Sequence, residues 1–400
     1  VPLVVMMKAL GYEEDSKIAE MISTEELLQN QLASTFEKSI GVVTQRDALL
    51  YIGNRLAPGQ VEEYRLKKAE ASVDRNFLPH IGREPEDRKE KAACLAEVAV
   101  RVIELKLGMR EPDDKDHYAN KRLKLAGSLL AELFRISFRN LIRDLKYQLE
   151  RITIRRHAEL SISNAIRPGI ITERIQHAIA TGNWVRGRVG VTQLLDRTNY
   201  SSTLSHLRRL QSPLSRSQPN LEARDLHPTH WGRLCPSETP EGSNCGLVKN
   251  LALSAVISNG VDSREFVSKL RRMGVIPVDE ADAKLRQVGA KVFVDGLIAG
   301  YVREGANMAQ ELIRMRRGGE ISSEVNVAYS PPRSEGGRSE LYVNCDQGRV
   351  RRPIIIIEAT KPRLTREHVE AIQRGEMRWE DLVNVESWNT WMRTRRKEPS

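Results

Sequence analysis

Through the first 170 positions apolar residues recur at helical spacing, and Glu, Lys, Leu and Ala are dense enough over Asp15–Leu32 and Val61–Ser72 to predict helices there. Pro79, Gly82 and Pro85 interrupt the pattern, and a further helix is predicted from about Asp87 to Leu107. The acidic run Glu111-Pro-Asp-Asp-Lys-Asp reads as a connector and a domain boundary. Beyond it Leu130, Leu133, Phe134, Phe138, Leu141, Ile142 and Leu145 fall on one face of a predicted helix, with Arg135, Arg139 and Arg143 on another side. Such a charge row is usually a solvated face; a phosphate-facing stripe is the other reading.

From about Arg167 the texture changes. Gly, Asn, Ser, Pro and Arg crowd the stretch between Thr181 and Gly246, and few periodic segments survive. Long irregular stretches inside compact proteins are uncommon and often functional. From Leu251 to Glu358 the pattern is mixed. Lys291–Val302 predicts two strands around an Asp295-Gly296 turn, followed by a helix over Asn307–Arg317. Strands are predicted near Glu324–Ala328, Glu340–Val343 and Pro353–Glu358, and a short amphipathic helix over Thr365–Arg374. The fold class expected is α+β, multidomain, with helices in the first third and most strands between Leu251 and Glu358. No internal repeat or low-complexity tract is visible.

At 400 residues the chain exceeds the usual single domain, so about two to four are expected. A 40% apolar content supports packed cores, and 29% charge is ordinary for a folded chain. The net charge of +10 favours an acidic partner such as nucleic acid, whereas 5% aromatics argue against base stacking as the main mode of binding. No apolar run reaches the ~18 residues of a membrane helix, and Val1–Met7 reads as a strand or a buried-helix piece. The four cysteines, Cys94, Cys235, Cys245 and Cys345, are far apart, as expected of free thiols in a reducing compartment. The chain opens on Val1 with no secretory pattern and reads as a piece of something larger.

Motifs with strict spacing rules are missing: no GxxxxGK[ST], HExxH, GxSxG or strand-linked GxGxxG, and no aspartate triplet for two magnesium ions. His227, His230, Cys235 and Cys245 are the right types for zinc, but HxxH-x4-C-x9-C is no familiar zinc knuckle, and packing or hydrogen-bonding roles are favoured. Glu238 and Glu241, in Glu238-Thr-Pro-Glu-Gly-Ser-Asn, read either as an acid–base pair or as carboxylates of a rigid turn that anchor amides or arginines; with no adjacent nucleophile the turn is favoured. Arg186, Arg188, Arg197, His206, Arg208, Arg209, Arg216, Arg224 and Arg233 lie among small polar residues, a composition suited to phosphate contact; scattered surface arginines are the plainer alternative.

Gly190-Val-Thr-Gln-Leu-Leu-Asp-Arg-Thr-Asn-Tyr-Ser-Ser-Thr-Leu-Ser-His-Leu-Arg-Arg and the later run from Ala223-Arg-Asp-Leu-His-Pro-Thr-His-Trp-Gly-Arg through Glu238-Thr-Pro-Glu-Gly to Leu251 closely resemble the fork region of the second-largest subunit of cellular RNA polymerases, called β in bacteria. The short Thr181–Gly190 loop resembles the archaeal version. Val1–Gly11 and Phe77-Leu-Pro-His resemble the lobe, Asp116–Gly127 the return into the protrusion, and Val292-Phe-Val-Asp-Gly with Asp346–Pro353 the external region. The divisions expected are a lobe over 1–111, the protrusion return over 112–170, the fork over 171–250, a first external region over 251–361, and over 362–400 the start of a second external region with an atypical basic tail.

The resemblance implies a place at the downstream edge of the active-centre cleft. Gln193, Asp196, His206, Arg208 and Arg209 match the segment lining the RNA path, and Glu238, Glu241 and Asn244 the motif approaching the active centre. Arg197, Arg216 and Arg224 join them as nucleic-acid contacts. Of the adjacent Arg208 and Arg209, one is expected to meet phosphate or a fork carboxylate and the other to brace the loop. No catalytic residue, metal or cofactor is expected in this chain; the magnesium of the assembled nucleotidyltransferase belongs mainly to the largest subunit. The implied partners are DNA, the RNA–DNA hybrid, the largest subunit, the remaining segments of the second-largest subunit and the other polymerase subunits, in the cytoplasm at the nucleoid and away from membranes. The family's first protrusion segment is expected before Val1, and its hybrid-binding, wall and clamp regions after this stretch; some archaea encode the subunit in two pieces. The family continues after Trp379-Glu-Asp-Leu-Val with an acidic run, whereas Val385–Ser400 is basic and expected to be disordered; a displaced reading frame would turn Asp and Glu codons into Arg and Lys codons. A stand-alone nucleic-acid-binding module is the alternative class and a zinc-dependent hydrolase a weaker one, separable by whether the chain purifies with larger partners, binds alone or turns over alone.

Overall fold

The computed structural model describes residues 1–156, 162–332, 338–358 and 360–383. The basic stretch Val385–Ser400, expected to be disordered, lies outside the described residues. The chain is α+β and divides into two units: Val1–Asp113 with Gly260–Asp346 and the chain from Ile357, and Asp114–Asn259 with Gln347–Ile356. All described strands except Arg209–Gln211, Val248–Asn250 and Lys361–Pro362 lie between Leu251 and Glu358.

In the first unit, helices Leu3–Ala9, Asp15–Ile22, Gln45–Leu56, Glu62–Arg75 and Arg88–Lys106 enclose a core that includes Val4, Met7, Ile18, Ile52, Val73 and Ala96. The run Val1–Met7 takes the helical option, with Val4, Val5 and Met7 fully buried. Asp15–Leu32 is not continuous: Ser23 is extended, and a second helix runs over Glu26–Asn30. The Ser23 hydroxyl accepts from Glu25 N at 3.0 Å and its carbonyl from Gln29 Nε2 at 2.7 Å, local bonds that compete with the helical ladder. Thr44 and Asp47 form a reciprocal capping box at the start of Gln45–Leu56. Gly53 lets that helix meet Glu62–Arg75, because a Cβ there would sit 2.7 Å from Arg65 O.

The same unit holds a four-stranded sheet, ordered Leu297–Val302, Ala290–Val294, Glu340–Asn344, Asn326–Ser330. Its hairpin turns at Asp295-Gly296, both with positive φ (49° and 84°), as a tight two-residue turn requires. The central strands, Ala290–Val294 and Glu340–Asn344, run parallel, and helix Gly305–Arg317 packs Met308, Leu312 and Met315 into the core shared with Val292, Leu341 and Val343. Lys291 Nζ reaches Glu97 Oε2 at 2.7 Å, linking the sheet to helix Arg88–Lys106 through a buried ion pair. The strand predicted near Glu324–Ala328 forms over Asn326–Ser330. Of the run Pro353–Glu358 only Ile357–Glu358 pairs, with Lys361–Pro362. Pro353 has no N–H to give a ladder.

The second unit is built on helix Ala126–Arg156, which packs with Gly169–Thr181 around Leu133, Ala178, Trp184 and Val185. Of the apolar face predicted along this helix, only Leu133 is fully buried, while Leu130, Phe134, Phe138 and Ile142 are exposed. The packing instead uses the side carrying Leu129, Leu133, Ile136 and Ser137. A second cluster gathers Tyr118, Leu234 and Val350. Arg209–Gln211 pairs antiparallel with Val248–Asn250, a ribbon whose short strands give no alternation long enough to read in the sequence. No described helix is long and apolar enough to cross a membrane.

Candidate nucleic-acid interface

Every predicted site residue lies in the second unit. Asn199 starts helix Tyr200–Leu207, its side chain accepting from Ser202 N at 2.7 Å. Just upstream, Asp196 Oδ1 accepts from Thr198 N at 2.9 Å and Thr198 Oγ1 at 2.7 Å, while Oδ2 takes the Ser202 hydroxyl. These donors, Ser202 foremost, hold the Asp196 carboxyl at about 2. Asp196 N donates to His206 Nδ1 at 3.1 Å, which leaves Nε2 to donate to Gln193 Oε1 at 3.0 Å; Gln193 Nε2 then donates to Gly190 O at 3.0 Å. Gln193, Asp196 and His206 thus form one network that fixes the 190–199 loop against the helix.

The helix is tied in turn to the Glu238 loop, since Ser205 Oγ donates to Glu238 Oε1. Neither carboxylate anchors that loop's own turn. Thr239 does so, its hydroxyl donating to Val248 O and accepting from Gly246 N, both at 2.9 Å. Glu241 is exposed and precedes the turn Gly242–Asn244, and Asn244 buries an Oδ1 without a partner. Gly246 (φ 72°) admits the Arg224 backbone, whose carbonyl a Cβ would meet at 2.3 Å.

The arginines divide sharply. Arg208 donates from Nε to Leu251 O at 3.3 Å and from Nη2 to Ala252 O. Arg224 donates from Nη1 to Ser243 O and Cys245 O, each at 2.8 Å, and Arg233 from Nε to Val350 O at 3.0 Å and from Nη1 to Thr229 O at 2.9 Å. Arg186 and Arg188 converge on Glu132, each at 3.2 Å, a carboxylate the sequence reading did not single out. Arg197, Arg209 and Arg216, by contrast, are exposed with side chains free of ion pairs among the described residues. Arg208, at the C-cap of helix Tyr200–Leu207, braces the Leu251–Ala252 segment, while Arg209, the first residue of strand Arg209–Gln211, opens to solvent.

The His/Cys set is dispersed by other bonds. His227 Nε2 meets Asp114 Oδ2 and Nδ1 meets Thr229 Oγ1, both at 2.7 Å. His230 is buried edge-on to the Tyr118 ring, 5.1 Å between centroids, and burial with the positive Lys249 nearby holds its imidazole down at about 4. No group of three or more His, Cys, Asp or Glu side chains among the described residues is arranged to hold a metal. Beside Arg208 and Glu238 lies an open, largely apolar depression of about 1080 Å³, lined in part by Leu204, Leu226, Trp231 and Leu253. The hydroxyls of Thr198, Ser202, Ser205 and Thr239 escaped sequence reasoning; the only local signal was Asn199 at a helix start.

Three family models match the chain in order: RNA polymerase Rpb2 domain 2 over residues 1–124, domain 3 over 193–257 and domain 4 over 292–358. The chain is 49% identical over 392 residues to DNA-directed RNA polymerase subunit Rpo2 of Saccharolobus shibatae, an alignment covering 96% of this chain and 34% of that protein. It is 53% identical over 278 residues to subunit Rpo2N of Methanococcus vannielii (69% of this chain, 56% of that one) and 50% over 280 residues to Rpo2N of Halobacterium salinarum (69% and 53%). It therefore spans about a third of the Rpo2 relative and a little over half of the Rpo2N relatives. With three successive matching domains and these archaeal relatives, the chain belongs to the family of the second-largest subunit of archaeal RNA polymerases.

Proposed function

We propose that the chain is a segment of the second-largest subunit of an archaeal DNA-directed RNA polymerase and helps to hold DNA and the RNA–DNA hybrid during templated nucleotidyl transfer. In this reading residues 1–111 form the lobe, 112–170 the protrusion return, 171–250 the fork, 251–361 the first external region, and 362–400 the start of the second with its basic tail. The observation that carries the proposal is the division of the arginines: Arg197, Arg209 and Arg216 keep free, exposed guanidinium groups, while Arg208 and Arg224 are spent on carbonyls. Free guanidinium forks on a pinned loop suit phosphate oxygens, because positioning costs little once the loop is fixed. The Gln193–His206–Asp196 network supplies that fixing.

In this reading the bond chemistry belongs to the assembly, its magnesium held mainly by the largest subunit. The partners are accordingly the largest subunit, the rest of the second-largest subunit, the other polymerase subunits, DNA and the hybrid, in the cytoplasm at the nucleoid. The test is reassembly. The chain, supplied with the remaining segments of the second-largest subunit and the other subunits of an archaeal polymerase, should enter the complex and support transcript elongation, and Arg209→Ala should release transcript at lower salt. A chain that stays out of the complex, or an Arg209→Ala enzyme with unchanged salt sensitivity, would refute the reading.

A further inference from the structure

Glu132, on helix Ala126–Arg156, is ringed by three cations. Its Oε1 lies 3.2 Å from Arg186 Nε, and its Oε2 lies 3.2 Å from Arg188 Nη1 and 3.5 Å from Lys124 Nζ. The Glu132 side chain is only 16% exposed, whereas those of Arg186 and Lys124 are 73 and 53% exposed. Neither arginine has another hydrogen-bond or ion-pair partner among the described residues. Three positive charges against one negative leave the cluster two in excess. The loop that presents it is fixed. Trp184 is buried, its Nε1 donates to Leu129 O at 2.9 Å, and its backbone N–H donates to Arg188 O at 2.7 Å. At the tip Arg186 (φ 60°) and Gly187 (φ 71°) are both left-handed, a conformation that arginine rarely adopts.

We propose that Lys124, Arg186 and Arg188 bind the phosphodiester backbone of a nucleic acid, and that Glu132 is a positioning residue that gathers them and restrains their affinity. A guanidinium carries five N–H donors, so each arginine can keep Glu132 on one side and take a phosphate oxygen on the other. The same carboxylate repels that phosphate and competes for its donors, which holds retention below what three unopposed cations would give. An acidic protein suits the tip less well. Trp184, the aromatic residue of the loop, and Val185 are both buried, and protein interfaces rely on such anchors being presented. The inference rests on the nucleic-acid reading above and adds to it a residue whose neutralisation strengthens binding.

Anisotropy of a fluorescein-labelled RNA–DNA hybrid, titrated with the full chain over a range of KCl concentrations, tests it without reassembly, so failure to enter a polymerase is a separate result. Glu132→Gln, which keeps the shape and an oxygen acceptor, should bind at least about threefold more tightly, with a salt slope steeper by about one unit at most. Glu132→Asp should stay within about twofold of wild type, as should Glu150→Gln, which removes a carboxylate elsewhere on the same helix. Arg186→Gln/Arg188→Gln should bind at least about threefold more weakly, and adding Glu132→Gln to that pair should recover less than about twofold. A carboxylate that only tied the loop down would leave Glu132→Gln binding no better than wild type. That result, an equal gain in Glu150→Gln, no binding of the hybrid by any variant, or displacement of the hybrid by polyglutamate more readily than by unlabelled hybrid would each overturn the proposal.

Discussion

Replacing Arg208 with alanine should damage stability, whereas replacing its neighbour Arg209 should damage nucleic-acid retention. Arg208 gives two charged hydrogen bonds to the carbonyls of Leu251 and Ala252 and is half-buried. A hydrogen bond to a charged group contributes about 1.5–3 kcal/mol net. The freed carbonyls adjoin the open depression beside Arg208 and can take up water, so the two losses do not simply double. A cost of about 2–3 kcal/mol follows, a fall of roughly 4–10 °C in the melting midpoint. Arg209 is exposed and unpaired, so Arg209→Ala should change stability by no more than about 0.5 kcal/mol. It should instead lower the salt slope of transcript retention by about one unit at most. Arg208→Lys, which keeps the charge but not the fork, should fall between wild type and Arg208→Ala in stability. Thermal melting of the chain and a KCl titration of the reassembled complex give the two readouts. An Arg208→Ala chain as stable as wild type, or an Arg209→Ala chain that unfolds early, would refute the assignment.

Lys291→Met leaves Glu97 buried with only Arg101 at 2.8 Å and should cost about 3 kcal/mol in urea unfolding, whereas Glu97→Leu/Lys291→Met should recover to within about 1 kcal/mol of wild type. A double variant as unstable as the single one would contradict this. His230, held at about 4, is neutral in the folded chain, while the unfolded chain takes up a proton below about 6.5. Its stabilisation is therefore complete above that pH and is lost as pH falls toward 4; the melting midpoint should drop across this window, and less steeply in His230→Gln. The chain alone should incorporate no nucleotides on a DNA template with magnesium present, and template-dependent incorporation would contradict that expectation.

Signals confined to a few residues were legible in the sequence. Asp295-Gly296 announced its hairpin because only small or Asx residues suit two positive φ angles in succession, and the run from Arg88 announced a helix. What depends on distant pairing was not. Which of Arg208 and Arg209 turns inward is set by partners far along the chain: Arg208 ends helix Tyr200–Leu207 and reaches the Leu251 and Ala252 carbonyls, while Arg209 enters the strand that pairs with Val248–Asn250. The period of helix Ala126–Arg156 was readable, yet the side that packs was set by Gly169–Thr181 and Trp184, which select Leu133 and leave Phe134 outside. The hydroxyls that organise Asp196 and the Glu238 loop were invisible because Ser and Thr are common and only geometry selects among them. The arginine cluster was legible as a whole; its division into braces and free groups was not, since carbonyl partners leave no mark in the sequence.

The most direct measurement places a photoactivatable amino acid at position 209, or at position 224 as control, in the chain reassembled with the remaining second-largest-subunit segments and the other archaeal polymerase subunits on a DNA template with labelled RNA. Irradiation of stalled elongation complexes should crosslink position 209 to the RNA–DNA hybrid, while position 224, turned onto the Ser243–Cys245 carbonyls, should give little. No nucleic-acid crosslink at 209, or equal crosslinking at 224, would contradict the account.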